Sequence, residues 1–208
     1  MSHPDAEAFW SGRYRDAGDD YLFGTAPNRF LQRQQSRLIP GSRALAIADG
    51  EGRNSVWLAE QDIQVTATEI SPVALHKAQR LAVQRQVKVE FLLADVLKWP
   101  WPVAEYDVVV AVFIQFLAPD ERRQVFRAMR DALRPGGLLL LHGYTPKQLE
   151  FRTGGPSSEE NLYTRELLAE AFGRMEILEL REYEEHIEEG IGHKGRSALI
   201  DFVARQPA

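Results

Sequence analysis

The chain contains no cysteine, which excludes disulfides, a thiolate nucleophile and any cysteine-ligated metal. Its five histidines show neither an H-E-x-x-H pattern nor a paired spacing suited to zinc, so no metal is expected. Long hydrophobic runs are lacking too: the longest, Val108 to Ile114, is far too short for a membrane span. Excess positive charge is absent, and a net charge of −5 removes the electrostatic footprint of a general nucleic-acid binder. The opening Met1-Ser-His-Pro-Asp-Ala-Glu7 has neither the basic nor the apolar region of a secretory leader, and a cytoplasmic location is expected. What remains is a chain of 208 residues, 44% hydrophobic and 26% charged, the composition of one globular domain spanning 1–208. No repeat or low-complexity linker interrupts it.

Apolar β-rich runs alternate with amphipathic helical ones, which predicts a parallel sheet with helices on its faces. The strands expected are Ala44–Ala48, Gln64–Ile70, Lys88–Ala94, Tyr106–Phe113 and Gly137–Tyr144. Between them the helices expected are Gly52–Gln61, Ser71–Gln84 and Pro119–Leu133, with Ser71-Pro72 reading as an N-cap followed by proline at the first helical position. A helix at Thr164–Phe172 precedes two antiparallel strands, Met175–His186 and Arg196–Arg205, joined through "EEGIGHKGR" as a long hairpin loop. Before the first strand come a short helix, an aromatic-rich loop and a helix near Asn28–Leu38.

The stretch "AIADGEGRNSVWLAE" joins the first strand to a helix through Gly50 and Gly52. In open α/β sheets such a turn lies at the carboxyl ends of the strands, where ligands bind. Gly50 suits a tight turn, and Gly52 suits close backbone approach. Read as a dinucleotide fingerprint the turn is Gly50-Glu51-Gly52-Arg53-Asn54-Ser55, with the third glycine missing and an acid beside the pyrophosphate position. An amino-acid moiety matches better: Asp49 or Glu51 for an ammonium, and Arg53 with the helix amides for a carboxylate. S-adenosyl-L-methionine has such a zwitterionic end. Glu69 closes the second strand, where a carboxylate can accept from both ribose hydroxyls, and Asp95 closes the third, within reach of an adenine amino group. Each has a plainer reading, Glu69 as support for the helix that follows and Asp95 as the start of a turn.

These residues carry a resemblance. "ALAIADGEGRN", "VTATEIS", "LLADV", "YDVVVAVF" and "LRPGGLLLL" are similar to class I S-adenosylmethionine-dependent methyltransferases over roughly residues 40–144. The wording of "GEGRNSVWLAEQ", "ISPVALHKAQ" and "FWSGRYRDAGDDYLFGTAPNRFL" resembles the tellurite-resistance and thiopurine-type branch of small-molecule enzymes. The resemblance implies a Rossmann-like three-layer α/β/α sandwich whose mostly parallel seven-stranded sheet has its last strand antiparallel. It also implies an amino-terminal cap over 1–42, a cofactor-binding core over 43–144, and an acceptor-side loop and hairpin over 145–208. The cofactor set so implied is Asp49, Gly50, Glu51, Gly52, Arg53, Asn54, Glu69, Ile70, Asp95, Val96 and Phe113, with Tyr14 as a cap. One departure stands out: where the family carries an acid in the first strand and a glycine two positions later, this chain has Ala46 and Ala48.

Methyl transfer from a sulfonium is an in-line displacement that needs positioning and exclusion of water and no metal. Phe113-Ile-Gln-Phe-Leu117 lacks the Asn/Asp-Pro-Pro-aromatic motif of amine-methylating relatives, and Gln115 is the more exposed residue expected there. Acceptor contacts are expected from Trp10, Tyr21 and Phe23, and from His142, Tyr144 and Arg196, with His142, Tyr144 and Gln115 as the candidates for a catalytic role. A histidine alone is commonly structural, and Arg196 also suits pairing with the acidic run Glu182–Glu189. The expected partner is a small-molecule acceptor with a soft sulfur, selenium or tellurium nucleophile, taken up by a monomer or homodimer. Two alternatives stay open: a non-catalytic S-adenosylmethionine-binding module, and a short-chain nicotinamide-dependent reductase, whose T-G-x-x-x-G-x-G loop and Y-x-x-x-K pair are not found here.

Overall fold

The computed structural model describes residues 5–208, so residues 1–4, the start of the expected cap, lie outside the described residues. The described chain divides into two compact units, 5–99 with 189–192 and 100–188 with 193–208. Its seven strands, numbered along the chain, form one sheet in the order β3-β2-β1-β4-β5-β7-β6, a Rossmann-like α/β arrangement with helices packed around the sheet.

The first unit opens with α1 (Ala6–Asp16), whose N-cap Asp5 accepts from the Ala8 N–H, and α2 (Arg29–Arg33), capped by Asn28 onto the Phe30 N–H. The helix expected to reach Leu38 gives way after Gln34 to a 3₁₀ turn, Gln35–Arg37. Then follow β1 (Arg43–Ala46), α3 (Arg53–Glu60), β2 (Gln64–Glu69), α4 (Pro72–Gln84) and β3 (Glu90–Leu93). Ser71 caps α4 by accepting from the Ala74 N–H, and Pro72 begins it, as the sequence predicts. The three strands pair in parallel, Ala46 opposite Ala67 and Glu69 opposite Leu93.

The second unit holds β4 (Tyr106–Val112), α5 (Pro119–Ala132), β5 (Leu133–Tyr144), α6 (Gln148–Phe151), α7 (Arg165–Phe172), β6 (Glu176–Glu189) and β7 (His193–Arg205). β4 and β5 are parallel, and β5 meets β7 antiparallel with His142 opposite Asp201. Val108–Ala111, Leu138–Leu141 and Ala198–Ala204 are buried throughout, as strands covered on both faces must be.

Two expectations are corrected. β5 begins at Leu133 and not at Gly137: pairing jumps from Tyr106↔Leu133 to Val108↔Leu138, and the extra residues, with Gly136 at φ +77°, form a bulge that accommodates Pro135. The long hairpin loop is a turn of Gly190, Ile191 and Gly192 only, because β6 continues to Glu189 and β7 starts at His193. Adjacent strands joined by so short a connection run antiparallel.

Candidate functional site

Past β1 the backbone makes a tight descent: Ala48 takes φ +47°, Gly50 φ +65° and Gly52 φ +87°, the last as the N-cap of α3. Glu69 fixes this descent. Its Oε2 accepts from the Gly50 N–H at 2.9 Å and its Oε1 from the Ser71 N–H at 2.9 Å, so one buried carboxylate joins the turn to the start of α4. Burial raises its pKa from the usual value, against the pull of these backbone hydrogen bonds. Asp49 Oδ2 accepts from the Ser55 hydroxyl, and burial pushes the Asp49 carboxyl up to about 7 despite that bond. Gly52 is confined from the other side, since a Cβ there would stand 2.7 Å from that of Ala78 in α4.

The acid between the glycines is matched by Lys77, a residue the sequence reading passed over. Lys77 Nζ donates to Glu51 Oε1 at 2.9 Å, to the Tyr14 carbonyl at 2.8 Å and to the Asp20 carbonyl at 2.7 Å, which uses all its protons. Glu51 Oε2 accepts from the Phe23 N–H at 3.4 Å. Of the two acids offered for an ammonium, Glu51 is therefore committed to the amino-terminal segment. A visible sign existed: Lys77 lies with Ala74, Ala78 and Leu81 on the apolar stripe of α4, and a lysine buried there needs a carboxylate.

Arg53 Nη2 donates to Glu189 Oε2 at 2.7 Å, and the same carboxylate accepts from Asn28 Nδ2 at 2.9 and 3.2 Å. Arg53 Nη1 is buried with no hydrogen-bond partner. Asn54 is occupied locally, its Oδ1 accepting from the Asn28 N–H at 3.0 Å. The Tyr14 hydroxyl stands against Gly50, 2.8 Å from where a Cβ would be, and burial with the carboxylates of Glu69 and Glu51 raises its pKa well above the usual phenol value. Trp10 stacks on Tyr14 at 6.0 Å, Phe23 meets Tyr14 edge-on at 6.3 Å, and the Arg13 guanidinium lies over Trp10. Tyr21 departs from this group: its hydroxyl donates to the Lys77 carbonyl, and its ring packs by Val56 and Leu81. Ile70 is half-buried and Val96 buried. Asp95 accepts from the Leu97 N–H at 3.0 Å and pairs with Lys98, so it does begin a turn, with its side chain 25% exposed.

In the second unit Phe113 adopts φ +57°, rare for an aromatic residue. Its ring stacks on Tyr144 at 4.6 Å and meets His142 and His193 edge-on at 4.8 and 4.3 Å. His142 Nδ1 lies 2.8 Å from Asp201 Oδ1, which also accepts from the Tyr183 hydroxyl at 3.1 Å. Gln115 is not the exposed residue expected. It is buried, with Oε1 accepting from the Tyr144 N–H while Nε2 donates to the Tyr144 and Asn161 carbonyls, as a strand neighbour would. Arg196 is exposed, paired with Glu184 and stacked over Phe151 at 4.8 Å.

Residues 44–137 match the family model described as a methyltransferase domain. A 27-O-demethylrifamycin SV methyltransferase of Amycolatopsis mediterranei is 36% identical over 107 residues, which are 50% of this chain and 39% of that protein. The match thus spans well under half of that relative. Among solved structures, one described as "Conversion of a Disulfide Bond into a Thioacetal Group during Echinomycin Biosynthesis" aligns with TM-score 0.77 at 18% identity, covering 97% of this chain and 92% of its own. TehB from Haemophilus influenzae aligns with TM-score 0.71 at 18% identity, over 96% of this chain and 66% of its own. The N-methyltransferase NodS from Bradyrhizobium japonicum, in complex with S-adenosyl-L-homocysteine, aligns with TM-score 0.68 at 13% identity over 98% of this chain and all of its own. At such identities the structural likenesses establish the fold.

Proposed function

We propose that this chain is an S-adenosylmethionine-dependent methyltransferase acting on a small molecule. The observation that carries the reading is the buried, unpartnered Arg53 Nη1 at the first residue of α3, beside a glycine turn whose geometry Glu69 fixes. A buried donor without an acceptor costs free energy, and a ligand carboxylate would satisfy it. The residues fit the zwitterionic tail of the cofactor: Arg53 takes the carboxylate and Asp49 the ammonium, Glu51 being committed to Lys77. Glu69 has further lone pairs for ribose hydroxyls, and the partly exposed Asp95 is available to an adenine amino group. Tyr14, against Gly50, caps the turn. When bound, the cofactor supplies an electrophilic methyl group on a sulfonium. The match of 44–137 to a methyltransferase domain supports the reading.

The acceptor in this reading is a soft nucleophile of sulfur, selenium or tellurium. A soft anion already deprotonated near neutral pH needs no general base, and Gln115, His142 and Tyr144 all sit buried in local contacts. The structural likeness to the protein described with thioacetal formation is in keeping with sulfur. Calorimetry with S-adenosylhomocysteine and with a nicotinamide dinucleotide tests the cofactor. Binding of the dinucleotide alone refutes it. A panel of thiols, selenols, halides, catechols and amines with labelled S-adenosylmethionine tests the acceptor, and transfer confined to oxygen or nitrogen refutes the soft-nucleophile reading.

A further inference from the structure

Most of β6 turns its acids outward, yet its last residue does not: the Glu189 side chain is only 9% exposed. The hairpin tip carries it inward. The Ile191 and Gly192 N–H groups both donate to the Leu22 carbonyl, at 2.9 and 3.0 Å. Gly190 lies so close to the amino-terminal loop that a Cβ on it would come within 2.5 Å of the Gly24 nitrogen, and one on Gly192 within 2.4 Å of the Phe23 ring. Seated there, the tip delivers the Glu189 carboxylate to Arg53 Nη2 at 2.7 Å, with Asn28 Nδ2 steadying the same carboxylate.

A guanidinium is a rigid planar fork, so a partner that holds one arm decides where the other points. Here the held arm is Nη2, and the arm left buried and without a partner is Nη1. We propose that Glu189 is a positioning residue for cofactor binding: with Asn28 it sets the Arg53 fork so that Nη1 receives the carboxylate of the amino-acid tail. This rests on the reading of the glycine turn as an S-adenosylmethionine site. Discrimination between ligands with and without that carboxylate is then governed by a residue far from the turn in sequence.

The test compares dissociation constants for S-adenosylhomocysteine and 5′-methylthioadenosine, which keeps the adenosine and thioether and lacks the amino-acid tail. Wild type, Glu189→Ala and Glu189→Gln full-length chains are titrated with both. The Ala variant is expected to lose about tenfold for S-adenosylhomocysteine, the scale of one charge-assisted hydrogen bond, and to keep its affinity for methylthioadenosine. The near-isosteric Gln variant keeps an oxygen for Nη2 and is expected to fall about threefold in the same ratio, which decides the matter should the Ala variant not fold. A ratio unchanged in the variants, with both ligands weakened alike, makes Glu189 a structural clasp and overturns the proposal. Tighter binding of S-adenosylhomocysteine makes it a competitor and also overturns it. Wild-type protein that binds neither ligand removes the cofactor reading and this proposal together.

Discussion

Lys77 and Glu51 form an ion pair of 2.9 Å with side chains 7% and 2% exposed, and through it the glycine turn is joined to the carbonyls of Tyr14 and Asp20. Breaking such a pair from one side leaves a buried charge without compensation. Lys77→Met is expected to cost about 3–5 kcal/mol of stability in chemical denaturation. The double variant Lys77→Met with Glu51→Gln should recover much of that loss. A single variant as stable as wild type refutes the account.

Asp49 gives the stability of the unliganded protein a pH dependence. Its carboxyl is pushed up to about 7, whereas in the unfolded chain it titrates near its ordinary value of 3.8. Between these values the folded state holds a proton that the unfolded state has released, so the contribution is full below the lower value and is lost as pH rises through the higher one. Glu69, also raised, acts with the same sign. Melting temperatures should therefore fall from about pH 4 to about pH 7 more steeply for wild type than for Asp49→Asn. Identical profiles would show that Asp49 titrates normally.

Ala48 holds a left-handed conformation, φ +47°, at the position where the sequence departs from a glycine. The turn is thus kept without the residue that favours it, at a strain of roughly 1–2 kcal/mol. Ala48→Gly is expected to stabilise by about 0.5 kcal/mol once the entropy of a freer unfolded chain is subtracted. Ala48→Val should destabilise, because a β-branched residue fits that region poorly. The order Gly, Ala, Val in urea midpoints checks it.

Gln115 occupies both backbone polar groups of Tyr144. Gln115→Ala should cost about 1–3 kcal/mol, the penalty for buried groups left unmatched, with no need for a catalytic explanation. If stability is unchanged and methyl transfer alone is lost, Gln115 belongs to the chemistry instead.

Local devices were legible in the sequence because their causes are local. Ser71 and Pro72 start α4 as they read, and the alternation of strands and helices yields the sheet. Gly50 and Glu69 were both visible, since strand ends and glycine turns mark themselves. What the sequence hid is who partners whom across long separations. In the sequence Glu189 is one more acid of the run Glu182–Glu189, and only the seating of the tip on Leu22 turns it inward. Gln115 looked exposed because nothing nearby reveals that the Tyr144 backbone lies beside it. Boundaries differ where a glycine, a loop signal in the sequence, lies within a strand: Gly195 lies inside β7, and Gly136 sits in the bulge of β5.

The seating of residues 189–192 on the amino-terminal loop also sets a schedule for the nascent chain. Asn28 and Glu189 are 161 positions apart, and Arg53 and Glu189 are 136 apart. At ribosomal speeds of about 5–20 residues per second, Asn28 and the buried Arg53 wait roughly 7–32 s for the Glu189 carboxylate. During that interval the segment 21–28 lacks its seat on the hairpin tip, while Glu69 and Lys77 already hold the turn at Gly50. Ribosome-bound chains stalled before residue 189 should accordingly be cut by protease in this segment, and chains released after it should resist.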